Sequence, residues 1–81
     1  MDVLYFAWLR ERIGESREVV ETEAATAADL IAELRARSPH HAAAFEDTTA
    51  LRVAYDQELT SFDAPLGDAR EVAFFPPMTG G

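Results

Sequence analysis

The fold depends most on the stretch Arg70-Glu71-Val72-Ala73-Phe74-Phe75, which runs directly into Pro76-Pro77. Valine and phenylalanine favour β-strands, whereas proline has no N–H to donate to a strand ladder. A final strand is therefore predicted to end at Phe75. Successive side chains of a strand point to opposite faces, so we expect Phe74 in the core and Phe75 facing outward.

Four further segments upstream complete the predicted sheet. Residues 3–9 are a dense β-branched and aromatic run and predict a first strand, followed by a polar connection over residues 10–16. Residues 17–22 predict a second strand, antiparallel to the first. Residues 51–55 alternate in polarity and predict a third, with a turn at Asp56-Gln57 and a short strand over residues 58–60.

A helix is predicted between the two groups of strands. Thr26 suits the N-cap position, and Asp29 takes the acidic position three residues later. Ser38-Pro39 ends this helix, and residues 40–45 predict a short second helical piece. His40-His41 at its start is interpreted as a solvated pair, since neighbouring helical positions do not converge on one metal ion; no metal site is expected.

This order of elements predicts an α+β fold of the β-grasp type, with a mixed sheet and one main helix packed on one face. In such a fold the C-terminal strand lies centrally. The expected organisation is one domain over residues 1–75 and an extended, flexible tail over residues 76–81.

Composition limits the classes of function. The 81 residues include 48% hydrophobic residues, ample for a core, and carry a formal net charge of −8, which disfavours nucleic acid and anionic membranes as partners. No apolar run is long enough to span a membrane. The N-terminus lacks the basic region of a secretory signal, so a cytoplasmic location is expected. The chain has no cysteine, which excludes disulfides and thiolate chemistry.

The tail combines stiffness with a slim tip. Prolines hold the chain extended, and Gly80-Gly81 carries no side chain that would hinder the terminal carboxylate. Together they indicate a segment that reaches into a narrow pocket of another protein. All seven basic residues are arginine, so the chain offers no lysine to receive an isopeptide bond, although it can still donate one.

The chain resembles the small subunit of molybdopterin synthase, a ubiquitin-like sulfur carrier. The likeness is carried by Val3-Leu4-Tyr5-Phe6-Ala7 with Arg10-Glu11 and Gly14, by Ser61-Phe62-Asp63 with Pro65-Leu66, and above all by residues 71–81. It spans nearly the whole chain and is weakest between about residues 23 and 50.

The resemblance implies a defined chemistry. An E1-like adenylyltransferase would use ATP to adenylate Gly81, and sulfur would then displace AMP to leave a thiocarboxylate. This carrier would donate sulfur to a cyclic pyranopterin precursor and so build the dithiolene of the molybdenum cofactor. No cofactor is expected to be bound permanently, and the catalytic groups are expected on the large synthase subunit, in a heterotetramer.

The resemblance also implies which residues meet the partner. The tail residues expected to insert are Pro76, Pro77, Met78, Thr79 and Gly80, ahead of the reactive Gly81. An apolar patch of Phe6, Leu59 and Phe75 is expected beside them, and Trp8 would extend it if residues 3–9 are one strand.

Three other functions stay open at this point, one of them a plain β-grasp interaction domain in which the Gly80-Gly81 pair is incidental. The chain is also compatible with a sulfur carrier for another pathway, such as thiazole formation, although the aromatic and proline residues before the glycines argue against it. A ubiquitin-like protein modifier joined through Gly81 would share the activation step.

Overall fold

The computed structural model describes residues 1–77 and forms one mixed five-stranded sheet with three helices. The sheet order is β2-β1-β5-β3-β4. The elements are β1 (Asp2–Tyr5), α1 (Trp8–Ile13), β2 (Arg17–Val19), α2 (Ala27–Arg35), α3 (Pro39–Ala44), β3 (Arg52–Tyr55), β4 (Glu58–Thr60) and β5 (Glu71–Phe75).

The last strand lies at the centre of the sheet, as predicted. β5 pairs in parallel with β1 and antiparallel with β3, and β2 pairs antiparallel with β1. The core fills the space between one sheet face and the helices, with Val3, Tyr5, Val53, Val72 and Phe74 facing the apolar sides of the helices. The predicted α+β architecture with a mixed sheet is confirmed.

The helix predicted from Thr26 is α2, the longest of the three. The Thr26 hydroxyl accepts a hydrogen bond from the Asp29 N–H at 3.2 Å, which satisfies one of the free donors of the first turn. The Tyr55 hydroxyl accepts from the Ala27 N–H at 3.0 Å and donates to the Ala64 carbonyl at 2.7 Å. These bonds fix the start of α2 against β3.

The prediction of a strand over residues 3–9 and a connection over 10–16 was wrong in its second half. β1 ends at Tyr5, Ala7 adopts a positive φ of 56°, and Trp8 begins a helix. The helix forms because Leu9 and Ile13, four residues apart, are both buried in the core. Gly14 ends it in the left-handed conformation, at φ 91°.

The interpretation of His40-His41 as a solvated pair was wrong for His41. The second helical piece exists as α3, and His40 is exposed, but His41 is 7% exposed and lies in the core. Its Nε2 lies 3.0 Å from Glu18 Oε2, and its Nδ1 lies 2.7 Å from the Ser38 hydroxyl. Since an ionised carboxylate only accepts, Nε2 carries the proton that is donated to Glu18.

Glu18 is the centre of this buried polar cluster. Its carboxylate also accepts a hydrogen bond from the Tyr5 hydroxyl at 2.8 Å, and the Arg37 Nε lies 3.9 Å away. Burial by itself raises the pKa of Glu18, but the hydrogen bonds from His41 and Tyr5 and the charges of His41 and Arg37 outweigh it. The pKa of Glu18 is therefore lowered, and its carboxylate ties α3 to β1 and β2.

Candidate functional site

The two phenylalanines at the end of β5 lie on opposite faces of the sheet, as predicted. Phe74 is fully buried, with its ring edge-to-face with Phe45 at 5.3 Å and stacked on Phe62 at 6.5 Å between centroids. Phe75 is only partly buried and lies on the face opposite the core. That second face is called the open face here, because no helix of residues 1–77 packs on it.

The open face contains a shallow apolar concavity of about 500 Å³. Phe6 and Phe75 stand on its sides, and Leu4, Ala54 and Ala73 also line it. Ala54 and Ala73 are directly opposed on β3 and β5. Because both side chains are single methyl groups, the centre of the face stays low while the aromatic rings rise beside it.

Phe6 is held next to β5 by the way β1 ends. The Phe6 N–H donates to the Phe74 carbonyl at 3.2 Å, which continues the β1–β5 ladder by one residue. The chain then turns away at Ala7. Phe6 is left 46% exposed, on the open face beside Phe75.

Leu59 belongs to the same face but not to the same concavity. It is paired with Ala54 in the β3–β4 ladder, which places it one strand further from Phe6, and it is 68% exposed. The structure thus brings Phe6 and Phe75 together and sets Leu59 apart across Ala54.

The expectation that Trp8 extends this patch was wrong. Trp8 lies in α1, is partly buried against the core, and carries the Arg12 guanidinium 4.7 Å above its ring. Val19, an exposed β2 residue, also lies on the open face, but its register with Asp2 places it at the opposite end of β1 from Phe6. Sequence reasoning missed Val19, Leu4, Ala54 and Ala73, although period-two alternation within each strand does indicate their facing.

Asp56 sets the register that positions these residues. It and Gln57 form the predicted turn, with positive φ values of 48° and 72°. The Asp56 carboxylate accepts from the N–H groups of Arg70 and Glu71, each at 3.0 Å. Since a slip of one residue would exchange Phe74 and Phe75 between the faces, these two bonds protect both the core and the open face.

The tail leaves the sheet beside the concavity. Pro76 is partly buried and Pro77 is exposed, and both follow β5 without belonging to a strand. Met78, Thr79, Gly80 and Gly81 lie outside the described residues, as do the expectations made for their conformation.

The described part of the chain offers binding surfaces more readily than reactive groups. Among residues 1–77, no three His, Asp or Glu side chains are arranged to hold a metal ion. None of the helices described there has the length and apolarity needed to cross a membrane. What the open face presents is an exposed aromatic and aliphatic patch, a feature typical of a protein interface.

Comparison with known proteins identifies the family. The model of the ThiS family matches residues 3–81. The chain belongs to the ThiS family. Among its relatives, the molybdopterin synthase sulfur carrier subunit of Escherichia coli is 46% identical over 79 residues, covering 98% of this chain and 96% of the relative. The protein of the same name from Haemophilus influenzae is 37% identical over 81 residues, covering 100% of this chain and 99% of the relative.

Solved structures support the fold assignment of this ThiS family member. The crystal structure of SAMP1 from Haloferax volcanii superposes with a TM-score of 0.73 at 25% identity, covering 100% of this chain and 98% of that one. A putative molybdopterin converting factor, subunit 1, from Pyrococcus furiosus gives a TM-score of 0.72 at 28% identity, covering 94% of each chain. The predicted ubiquitin-like β-grasp and the predicted family are both confirmed.

Proposed function

We propose that this chain carries sulfur as a thiocarboxylate on Gly81 and donates it, within molybdopterin synthase, to a cyclic pyranopterin precursor. The observation that supports this most is the full-length match to two relatives named molybdopterin synthase sulfur carrier subunit. At the coarser level of a sulfur carrier in molybdenum cofactor biosynthesis, those names confirm the prediction from sequence. The residues and steps that follow are the proposal.

The chemistry begins with a carboxylate that is a poor electrophile. The Gly81 carboxylate attacks the α-phosphate of ATP, releases pyrophosphate and becomes an acyl-adenylate, which has a good leaving group. Sulfide then attacks the carbonyl carbon, forming the C–S bond as the C–O bond to AMP breaks, and leaves the thiocarboxylate. If a persulfide delivers the sulfur instead, a thiol must reduce the S–S bond of the acyl disulfide that forms first. ATP is bound by an E1-like adenylyltransferase and not by this chain, which needs no permanently bound cofactor.

The open face is the surface that docks on the large subunit. Phe6 and Phe75 flank the concavity beside the tail, and Leu59 adds a second exposed apolar contact across the sheet. Burying such a patch supplies the affinity, while residues 76–81 enter the pocket where sulfur is transferred. Proline at positions 76 and 77 limits the conformations that the tail must give up on insertion.

The roles of the two proteins follow from the chemical groups that each one supplies. This chain supplies the sulfur and its delivery, and the large subunit supplies the acid, base and pterin contacts. A dithiolene contains two sulfur atoms, so two loaded carriers are consumed for each product. A heterotetramer of two carriers and two large subunits, working in the cytoplasm, satisfies that demand.

The decisive experiment shortens the tail by one residue. A chain without Gly81, chemically thiocarboxylated at Gly80, is assayed with the purified large subunit for dithiolene formation from the precursor. The reactive carbon retreats by up to about 3.3–3.6 Å, whereas reacting atoms must approach to about 3–3.5 Å. We expect loss of sulfur transfer with an unchanged fold by circular dichroism, because β5 ends at Phe75.

The full-length thiocarboxylated chain is the control. Near-normal turnover by the shortened chain would contradict the proposal. Intact mass of the protein from cells separates the alternatives: oxygen replaced by sulfur at the C-terminus supports carriage. Isopeptide adducts through Gly81, without a thiocarboxylate, would instead support protein modification.

A further inference from the structure

A second concavity lies between α2 and the segments that flank β3 and β4, and it adjoins the open face at Arg52. Its volume is about 640 Å³. Ile31, Leu51 and Phe62 give it an apolar floor, and Arg35 and Arg52 line it as well. It is called the arginine groove here.

The charge of this groove is opposite to that of the chain. The protein has fifteen acidic and seven basic residues, yet two of its arginines and none of its carboxylates line the groove. The concavity of the open face includes Glu71, and a third concavity includes Glu21, Glu23 and Glu33. Of these three concavities within residues 1–77, the arginine groove is the one lined by arginine and by no carboxylate.

Among residues 1–77, neither groove arginine is paired with a carboxylate, although Arg52 Nη1 donates one hydrogen bond to the Leu51 carbonyl at 3.1 Å. Arg17 forms an ion pair with Asp2 at 2.9 Å, and Arg37 approaches Glu18 at 3.9 Å. Within residues 1–77, neither Arg35 nor Arg52 has a carboxylate within ion-pair distance, and both residues are exposed. The nearby carboxylates Asp47 and Asp63 are hydrogen-bonded by Thr49 and Ser61, each at 2.7 Å, and do not line the groove.

The groove lies at the end of the domain from which the tail departs. Arg52 is the register partner of Phe75, the last residue of β5. Phe62, on the floor, stacks on Phe74 with an interplanar angle of 12°. A protein that binds both the open face and the tail therefore lies close to the arginine groove.

We propose that the arginine groove is a second docking site for the large subunit of molybdopterin synthase, and that it receives a segment combining an apolar side chain with one or more carboxylates. This inference rests on the proposed function, since it takes its partner from there. The apolar floor accommodates the side chain, and the two guanidinium groups pair with the carboxylates in the geometry that arginine favours. On a chain with net charge −8, such a site also orients the partner, because its carboxylate-bearing segment is attracted here and repelled by the acidic parts of the surface.

Charge reversal at the groove tests the inference. Arg35→Glu and Arg52→Glu are compared with Arg70→Glu, an exposed arginine at the opposite end of β5 that undergoes the same change of charge. Affinity for the purified large subunit is measured by titration calorimetry at low and high ionic strength, with thermal melts to check the fold. We expect each groove variant to lose about tenfold in affinity at low salt and the Arg70 variant to bind nearly as wild type.

The salt dependence adds a second readout. Salt screens the paired charges, so the gap between wild type and the groove variants should narrow at high ionic strength. If all three variants lose affinity equally, or if no variant loses affinity, the groove is not a docking site. Binding of the wild-type chain to the large subunit would in that case still uphold the proposed function. A wild-type chain that does not bind the large subunit would overturn both. Groove variants that alter only self-association, measured by sedimentation, would assign the groove to a second copy of this chain and also overturn the inference.

Discussion

Replacing Phe74 or Phe75 by alanine separates the core from the interface. Phe74 has no exposed surface and contacts Phe45 and Phe62, whereas Phe75 lies partly exposed on the open face. Truncating a fully buried phenylalanine costs about 3–5 kcal/mol of unfolding free energy. A half-buried one on a surface loses roughly 1 kcal/mol of apolar burial.

The consequence for stability is large in so small a domain. With Phe74→Ala, a domain that has about 5–15 kcal/mol of stability loses between about a fifth of it and all of it. Since each kcal/mol shifts the melting temperature by about 4–8 °C at this size, Phe74→Ala should melt at least about 12 °C below wild type. Phe75→Ala should stay within about 8 °C of wild type.

Urea denaturation and calorimetric titration with the large subunit provide the two measurements. Phe75→Ala should weaken binding by more than its loss of stability explains, because that ring belongs to the proposed interface with the large subunit. Phe74→Ala, under conditions where it is folded, should bind with near-normal affinity. If Phe75→Ala proves the less stable of the two, the assignment of faces along β5 is refuted, and with it the interface.

Three further predictions follow from the same contacts. In Glu18→Gln the lost stability should be largest near neutral pH, should begin to shrink as the pH falls below about 4.5, and should vanish below the lowered pKa of the folded state, because the carboxylate stabilises the fold only while it is ionised. Glu15→Gln, at an exposed site, is the control, and a difference in urea midpoint that does not change with pH would contradict this prediction. Thr26→Ala should lower the free energy of unfolding by about 1 kcal/mol because it removes the helix cap, whereas Thr26→Ser should retain most of that stability. Equal stability of the two variants in urea would exclude the capping role. Leu59→Glu should change stability by less than about 0.5 kcal/mol yet weaken binding of the large subunit, and unchanged affinity would remove Leu59 from the interface.

The sequence predicted the parts of the fold that depend on strong local signals. The Thr26 cap, the Asp56-Gln57 turn and the strand before Pro76 all follow from residues whose conformational preferences are narrow. The first helix was missed because a short apolar run suits a strand as well as a helix, and its composition favoured the strand. The four-residue spacing of Leu9 and Ile13, by contrast, indicated a helix.

The buried cluster around His41 was beyond such reasoning. Its partner Glu18 lies 23 residues away in sequence, and nothing local marks either residue as buried. Within the candidate interface, strand alternation predicted which face Phe75 lies on. The position of Phe6 beside Phe75 depends on the turn at Ala7, which alternation does not predict. The separation of Leu59 from that pair depends on strand order, which only the assembled sheet defines.

The parallel pairing of β1 with β5 also has a consequence for synthesis. The two central strands of the sheet are the first and the last along the chain, with β1 starting at Asp2 and β5 ending at Phe75. While the ribosome is still translating residues 71–75, β1 lacks its main neighbour, and Val72 and Phe74 have not yet entered the core. The domain therefore completes its fold only after β5 has left the ribosomal exit tunnel. A messenger truncated before that point yields a product that cannot close its sheet, and cellular proteases remove such a chain before it competes for a synthase subunit.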